Sequence, residues 1–164
     1  MQSREFLESR LEMENILREE TIGCLGLSMG DDPYVVPLNY AYVEGRILFH
    51  CAMEGKKLDY LKRNQRVCFA VARQFGEVRR HAEGNPCHVD SDSVVCYGSA
   101  RIVEDLEERR GVLDTFYRCF LSDAEEIAVE RAKKCCAVVI EIIEMTGRCE
   151  RKGERTYWRY SFEE

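Results

Sequence analysis

Phe49-His50-Cys51-Ala52-Met53-Glu54-Gly55-Lys56-Lys57-Leu58 carries a strand-like run into the start of a short helix. From Glu54 to Arg66 the cations Lys56, Lys57, Lys62, Arg63 and Arg66 face only Glu54 and Asp59, in a chain whose formal net charge is -6. A positive knot at a helix start suits an anion such as a phosphate, because free backbone N–H groups and the helix dipole add to the lysines. A solvated helix face is the other reading of the same charges.

Outward from this junction the chain reads as short strands joined by turns. Upstream, Ile22 to Met29 is apolar, Gly30-Asp31-Asp32-Pro33 is a turn signal, and Tyr34 to Val43 is rich in valine and tyrosine. Glu44-Gly45 offers a two-residue link to a third strand, Ile47 to Cys51. Downstream, Gly55 to Asn64 reads as a helix, Val67 to Phe75 as a strand, and Gly76 to Asp92, with Gly84 and Asn85-Pro86, as the longest loop. Ser93 to Val103 is a further strand. Asp105 to Leu121 carries Leu106, Leu113, Phe116, Tyr117 and Phe120 on one helical face. Ser122 with Glu125 has the form of a capping box for another helix through Lys134. Cys136 to Met145 is a last, almost wholly apolar strand. Phe6, Leu7, Leu11, Ile16 and Leu17 place one helix or two short ones between Arg4 and Glu20, and the tail from Gly147 is basic and aromatic. Six strands of this kind predict a mainly β protein with flanking helices, an antiparallel barrel rather than a doubly wound sheet.

At 164 residues the chain fits one domain, 1–164, with a core of its own. Hydrophobic residues make up 45% and charged residues 33%, and no window approaches the roughly 20 apolar residues that cross a bilayer. Met1 to Glu5 opens a charged segment without the apolar core of a signal peptide, so the cytoplasm is the expected compartment. The acidic balance weighs against nucleic acid and anionic membranes as partners, since both select basic surfaces. Nine cysteines, an odd number, argue against a complete disulfide framework. Cys24, Cys51, Cys68 and Cys96 lie in apolar runs, where a reduced thiol acts as a small hydrophobe.

Tyr34-Val35-Val36-Pro37-Leu38-Asn39-Tyr40, then Phe49-His50-Cys51-Ala52 with Glu54-Gly55-Lys56-Lys57-Leu58 and Asn64, then Ser93-Val94 with Gly98, resembles the pyridoxamine 5'-phosphate oxidase-like FMN-binding proteins. Within them the chain looks most like the 5-nitroimidazole-resistance branch, over about Glu20 to Gly147. The resemblance implies an FMN-binding split β-barrel, a six-stranded antiparallel Greek-key barrel, that forms a homodimer with FMN in each cleft between subunits. It sets Val36, Pro37, Leu38, Asn39 and Tyr40 along the isoalloxazine ring, mainly through backbone groups. Pro37 has no N–H, so its neighbours must supply the donors. His50, Lys56 and Lys57 would hold the phosphate, and Ser93 would make a polar flavin contact.

Each of these residues also has a structural reading. His50 suits an imidazole satisfied at a strand end, Lys56 a solvent-facing charge, Asn39 an edge position and Ser93 a strand opening. Lys57 is the strongest phosphate candidate, because Leu58 beside it should face the core and fix its base. The implied activity is an FMN-dependent oxidoreductase that reduces a small nitro-aromatic or related acceptor. Alternatives are a flavin carrier or redox-sensing module without turnover, and a haem-binding relative with His50, His81 or His88 as axial ligand. The oxidases' C-terminal substrate-binding signature has no match in Arg151 to Glu164, so pyridoxamine 5'-phosphate oxidation is less expected. His81, Cys87 and His88 invite a metal reading, but without any Cys-x-x-Cys pair no metal is expected.

Overall fold

The computed structural model describes residues 7–80 and 87–162. In chain order these form β1 (Leu7–Glu8), α1 (Arg10–Glu19), β2 (Ile22–Met29), β3 (Asp32–Asn39), β4 (Ala41–Val43) and β5 (Arg46–Cys51). Then follow α2 (Lys56–Arg63), β6 (Arg66–Arg80), β7 (Cys87–Ile102), α3 (Leu106–Phe120), α4 (Val129–Ala132), β8 (Cys136–Arg151) and β9 (Glu154–Ser161). All nine described strands belong to one mainly antiparallel sheet in the order β1-β9-β8-β7-β6-β2-β3, with β5 bridging β4 and β8.

The sheet curls without closing, and β8 is its trunk. One edge of β8 pairs with β7 along nearly its whole length. The other edge is divided: residues 136–141 pair with β5, and residues 144–151 with β9. At the handover the Ile142 N–H donates to the Gly45 carbonyl at 3.0 Å, and the Phe162 N–H donates to the Ile143 carbonyl at 2.9 Å. This is the split β-barrel that the resemblance implies, and the antiparallel barrel that the strand pattern predicts.

Two hairpins depend on positive-φ turns. Glu44 and Gly45, at φ 47 and 80, close β4 onto β5, and Lys152 and Gly153, at φ 52 and 88, close β8 onto β9. Positive φ at both central residues is the type I′ pattern, whose twist matches that of paired strands. Gly98 lies where the β7–β8 register slips, and a Cβ there would collide with the Glu141 carbonyl.

Alternation along β5 makes two apolar layers. Ile47 and Phe49 face the barrel interior with Leu25, Phe69, Val94 and Met145, while Leu48 faces outward into a second cluster with Leu113, Phe116, Ile127 and Val139. α1 closes one end of the barrel through Met13, Ile16 and Leu17, and Leu11 on its other side is exposed. Buried Glu14 of α1 accepts from Arg10 Nε at 2.7 Å, Arg18 Nη2 at 2.9 Å and Tyr42 Oη at 2.6 Å.

Several elements differ from the sequence expectation, each for a tertiary reason. The six expected strands are present, but the Tyr34 to Val43 run breaks at Tyr40, whose ring enters the core and whose hydroxyl donates to the Leu17 carbonyl at 2.8 Å. The expected loop Gly76 to Asp92 is largely hairpin: β6 runs to Arg80 and β7 starts at Cys87. The 76–80 stretch is exposed on both faces, so it carries no alternating signal. The capping box at Ser122 does not start a helix. The chain there is held by Asp114, which accepts from the Ile127 N–H at 2.6 Å, and by Arg110, which donates to the Ile127 carbonyl at 3.1 Å. Helix resumes only for the single turn of α4. The tail forms β9, and Leu7 pairs with Trp158 in β1 rather than continuing α1. Phe6 and His81 lie outside the described residues.

Burial alone would raise the Glu14 pKa, but its three donors outweigh that and hold it below the ordinary 4.5. A depressed carboxylate stabilises the fold fully above about pH 4.5, and that stability is lost as pH falls through the lowered value. Glu14→Gln is therefore expected to cost about 1–3 kcal/mol at pH 7. In urea melts the gap between variant and parent should narrow at pH 3.

Candidate functional site

The β5–α2 junction is shaped by a backbone conformation open only to glycine. β5 ends at Cys51, and Gly55 adopts φ 139, ψ 165 immediately before α2. No side chain caps α2, which leaves its first N–H groups available to an incoming acceptor. The Leu58 and Asp59 N–H groups return to the Gly55 carbonyl at 2.9 and 3.2 Å. Leu58, Tyr60 and Leu61 are buried and hold the helix in place, and Asn64 at its end ties it to β2 by donating to Ser28 Oγ at 3.0 Å.

The two lysines at this junction go different ways. Lys56 Nζ lies 4.6 Å from the Tyr34 ring centroid and 5.5 Å from that of Tyr60, a cation–π contact directed towards β3. The Tyr60 hydroxyl donates to Asp32, so α2 and the start of β3 are joined there. Lys57 is half-buried on the other side, where its charge reaches the thiols of Cys51 and Cys136.

His50 faces neither lysine's layer. Strand alternation turns it outward, edge-on to Phe116 at 4.9 Å between centroids, while Cys51 turns inward. Its Nε2 stands 3.4 Å from Tyr117 Oη and its Nδ1 3.6 Å from Cys135 Sγ. Burial first, and the charge of Arg131 second, lower its pKa from 6.5, so the ring is neutral near pH 7. A cleft beside it is lined by Cys51, Ala52, Arg131, Lys134 and Cys135.

Val36, Pro37, Leu38 and Asn39 lie on β3, the last strand of the sheet path, whose far edge leaves backbone groups unpaired among the described residues. Asn39 Nδ2 donates to the Thr21 carbonyl at 3.2 Å, and Tyr40 directs its side chain inward. Thus β3 and the α2 start adjoin one another, while Ser93 does not join them. Ser93 is half-buried on β7 between Ala72 and Arg148, in a separate cleft with Tyr97, Thr146, Tyr157 and Arg159. The partners of His50, namely Tyr117, Arg131 and Cys135, were not evident from sequence, because no local spacing links them to residue 50.

Gly55→Ala is expected to destabilise the protein by about 1–3 kcal/mol, the cost of forcing an L side chain into this backbone region. A Cβ there would meet nothing within 4 Å, so the loss is one of backbone strain alone. A shift of the urea midpoint without a change in slope would register it.

Comparison with known proteins places this geometry in a family. Residues 9–149 match the family model described as pyridoxamine 5'-phosphate oxidase. A candidate 5-nitroimidazole antibiotic resistance protein of Bacteroides thetaiotaomicron VPI-5482 is similar at 26% identity and a TM-score of 0.74, over 86% of this chain and 84% of its own. A FAD-binding protein of Mesorhizobium loti is 27% identical with a TM-score of 0.65, over 87% of this chain and 96% of its own. A curated, uncharacterised protein of Rhizobium meliloti (strain 1021) is 31% identical over 64 residues, 39% of this chain, and the match spans only 42% of that relative's length. The family match takes in β2 to β7 whole and all but the end of β8, including the β5–α2 junction. The chain belongs to the pyridoxamine 5'-phosphate oxidase family.

Proposed function

We propose that this chain is an FMN-binding flavoprotein and an oxidoreductase acting on a small nitro-aromatic or related acceptor. The observation that carries the reading is the uncapped start of α2 behind Gly55, with Lys57 half-buried beside it and the free edge of β3 adjoining. A phosphate ester fits such a site by charge-assisted hydrogen bonds to the ammonium and to backbone N–H groups. FMN is favoured over FAD because the junction is one anion site matched to one phosphate. Lys57 supplies the principal charge. Lys56 flanks it from the Tyr34–Tyr60 shelf, while the His50 ring points to the other face, towards Tyr117 and Cys135. The β3 edge from Val36 to Asn39 offers backbone N–H and C=O groups to a flat heterocycle, with Pro37 contributing only its carbonyl, and Tyr40 follows directly with its side chain turned inward. When bound, the flavin supplies the electron or hydride transfer, and the chain's part is to bind, orient and shield it.

A homodimer completes this reading. Ser93 lies away from the α2 start within one chain, so a second copy presenting its β7 face would bring a polar contact to the cleft. Ile22, Val35, Tyr97 and Ile143 are exposed apolar side chains available for such burial. No helix among the described residues is long and apolar enough to cross a membrane, and we assign the protein to the cytoplasm.

Purified protein is expected to show a flavin absorption spectrum and to elute as a dimer. Lys57→Glu should preserve the circular dichroism spectrum while raising the Kd for FMN about 100-fold, since a charge-assisted bond is replaced by repulsion. Unchanged flavin occupancy in that variant would reject the phosphate assignment. With a reductant and a nitroimidazole, holoprotein should form amine product faster than free FMN at the same concentration. An equal rate would instead identify a flavin carrier.

A further inference from the structure

The end of β5 also holds a thiol pair that the flavin chemistry leaves unused. Cys51 and Cys136 are register partners on antiparallel β5 and β8, and both pack against the barrel core. Directly opposed residues in such a ladder have Cα atoms roughly 4.5 or 5.5 Å apart, depending on the pair type. Both spacings fall within the roughly 4.4–6.8 Å range of disulfides. In the reduced protein the Cys136 thiol donates to the Ala137 carbonyl at 3.8 Å, and both cysteines are free.

Charge and access favour reaction at the same place. The neighbouring Cys51 lowers the Cys136 pKa to about 7, and Arg109, Lys62 and Lys57 add to the effect. Cys136 and burial push Cys51 the other way, so Cys136 is the sulfur of the pair with the greater thiolate character. Cys136 is only 2% exposed, whereas Cys51 is half-buried, so Cys51 is the sulfur a small oxidant reaches first. Cys135 belongs to the other face, against His50 Nδ1, and burial raises its thiol.

We propose that Cys51 and Cys136 form a reversible dithiol–disulfide pair, oxidised by a hydroperoxide, at the strand-to-helix junction. The thiolate attacks the peroxide oxygen, the O–O bond breaks, and an alcohol or water leaves as a sulfenic acid forms. The second sulfur then attacks the sulfenic sulfur, the S–S bond forms, and water leaves. The two sulfurs together give two electrons, which reduce one hydroperoxide. The oxidised state ties β5 to β8 just before the chain enters Gly55. It stands apart from the flavin reading, since its readout is on sulfur and needs no flavin.

The test treats reduced full-length protein with hydrogen peroxide, blocks remaining thiols with iodoacetamide and maps tryptic peptides by mass spectrometry. The expected product joins the Cys51 peptide to the Cys135-Cys136 peptide, with two of the nine thiols lost and both recovered with dithiothreitol. Fragmentation between the adjacent cysteines should place the bond on Cys136. Cys135→Ser should keep the cross-link, and Cys136→Ser should lower its yield at least tenfold. The proposal is overturned by a wild-type map lacking this cross-link, by its loss in Cys135→Ser, or by a bond placed on Cys135. The wild-type map and the Cys135→Ser result decide the matter even where Cys136→Ser folds poorly.

Discussion

Hydrogen-bonding capacity along β8 is the constraint from which the rest of this molecule follows. A strand edge can serve one partner per residue, and β8 divides its second edge between β5 and β9 at Ile142–Ile143. That division opens the barrel and fixes where β5 ends. The place of Cys51, the turn through Gly55 and the direction in which α2 points are all set by it. Gly98, on the facing strand, absorbs the register slip beside the handover, where the Glu141 backbone leaves no room for a side chain.

Charge is arranged around this frame in two ways. Buried carboxylates are each held by more than one arginine: Asp92 accepts from Arg73 Nε and Arg151 Nη2, both at 3.0 Å, and Glu150 is paired with Arg148 and Arg155. Such multiple pairing offsets the desolvation of a buried anion, and it ties the long β6–β7 arms to the end of β8. At the α2 start the logic is reversed. There the cations stand without a full complement of acids, Lys56 resting on two tyrosine rings and Lys57 half-buried. An acidic chain therefore keeps a cationic mouth at this junction.

Much of the architecture was legible along the chain because it rests on local pattern. Apolar runs, continuous in β8, mark β2, β5, β6, β7 and β8, and the spacing of Leu113, Phe116 and Tyr117 marks α3, whose start is capped by the Asp105 side chain accepting from the Glu108 N–H. Where the reading failed, a distant partner overrode a local preference. Ser122 and Glu125 offer good capping chemistry, yet Asp114 and Arg110 hold Ile127 in the outer apolar layer, and the helix shrinks to one turn. The 76–80 stretch pairs as strand although both faces are exposed, so no periodicity could reveal it. Cys24, expected among core thiols, is exposed, because the adjacent Gly23 and Leu25 take the inward positions of β2.

The residues of the candidate site divide along the same line. Composition and order alone determined the cationic junction, the glycine before it and the family to which the chain belongs, since these depend on contiguous residues. Only the folded sheet decided which way each group points: Lys56 to the tyrosines, His50 outward to Phe116 and Tyr117, Ser93 into a cleft of its own. Cys51 and Cys136 lie 85 positions apart and meet through strand register. Register is a property of paired backbones, set by how β8 divides its hydrogen bonds, and no local stretch of sequence encodes it.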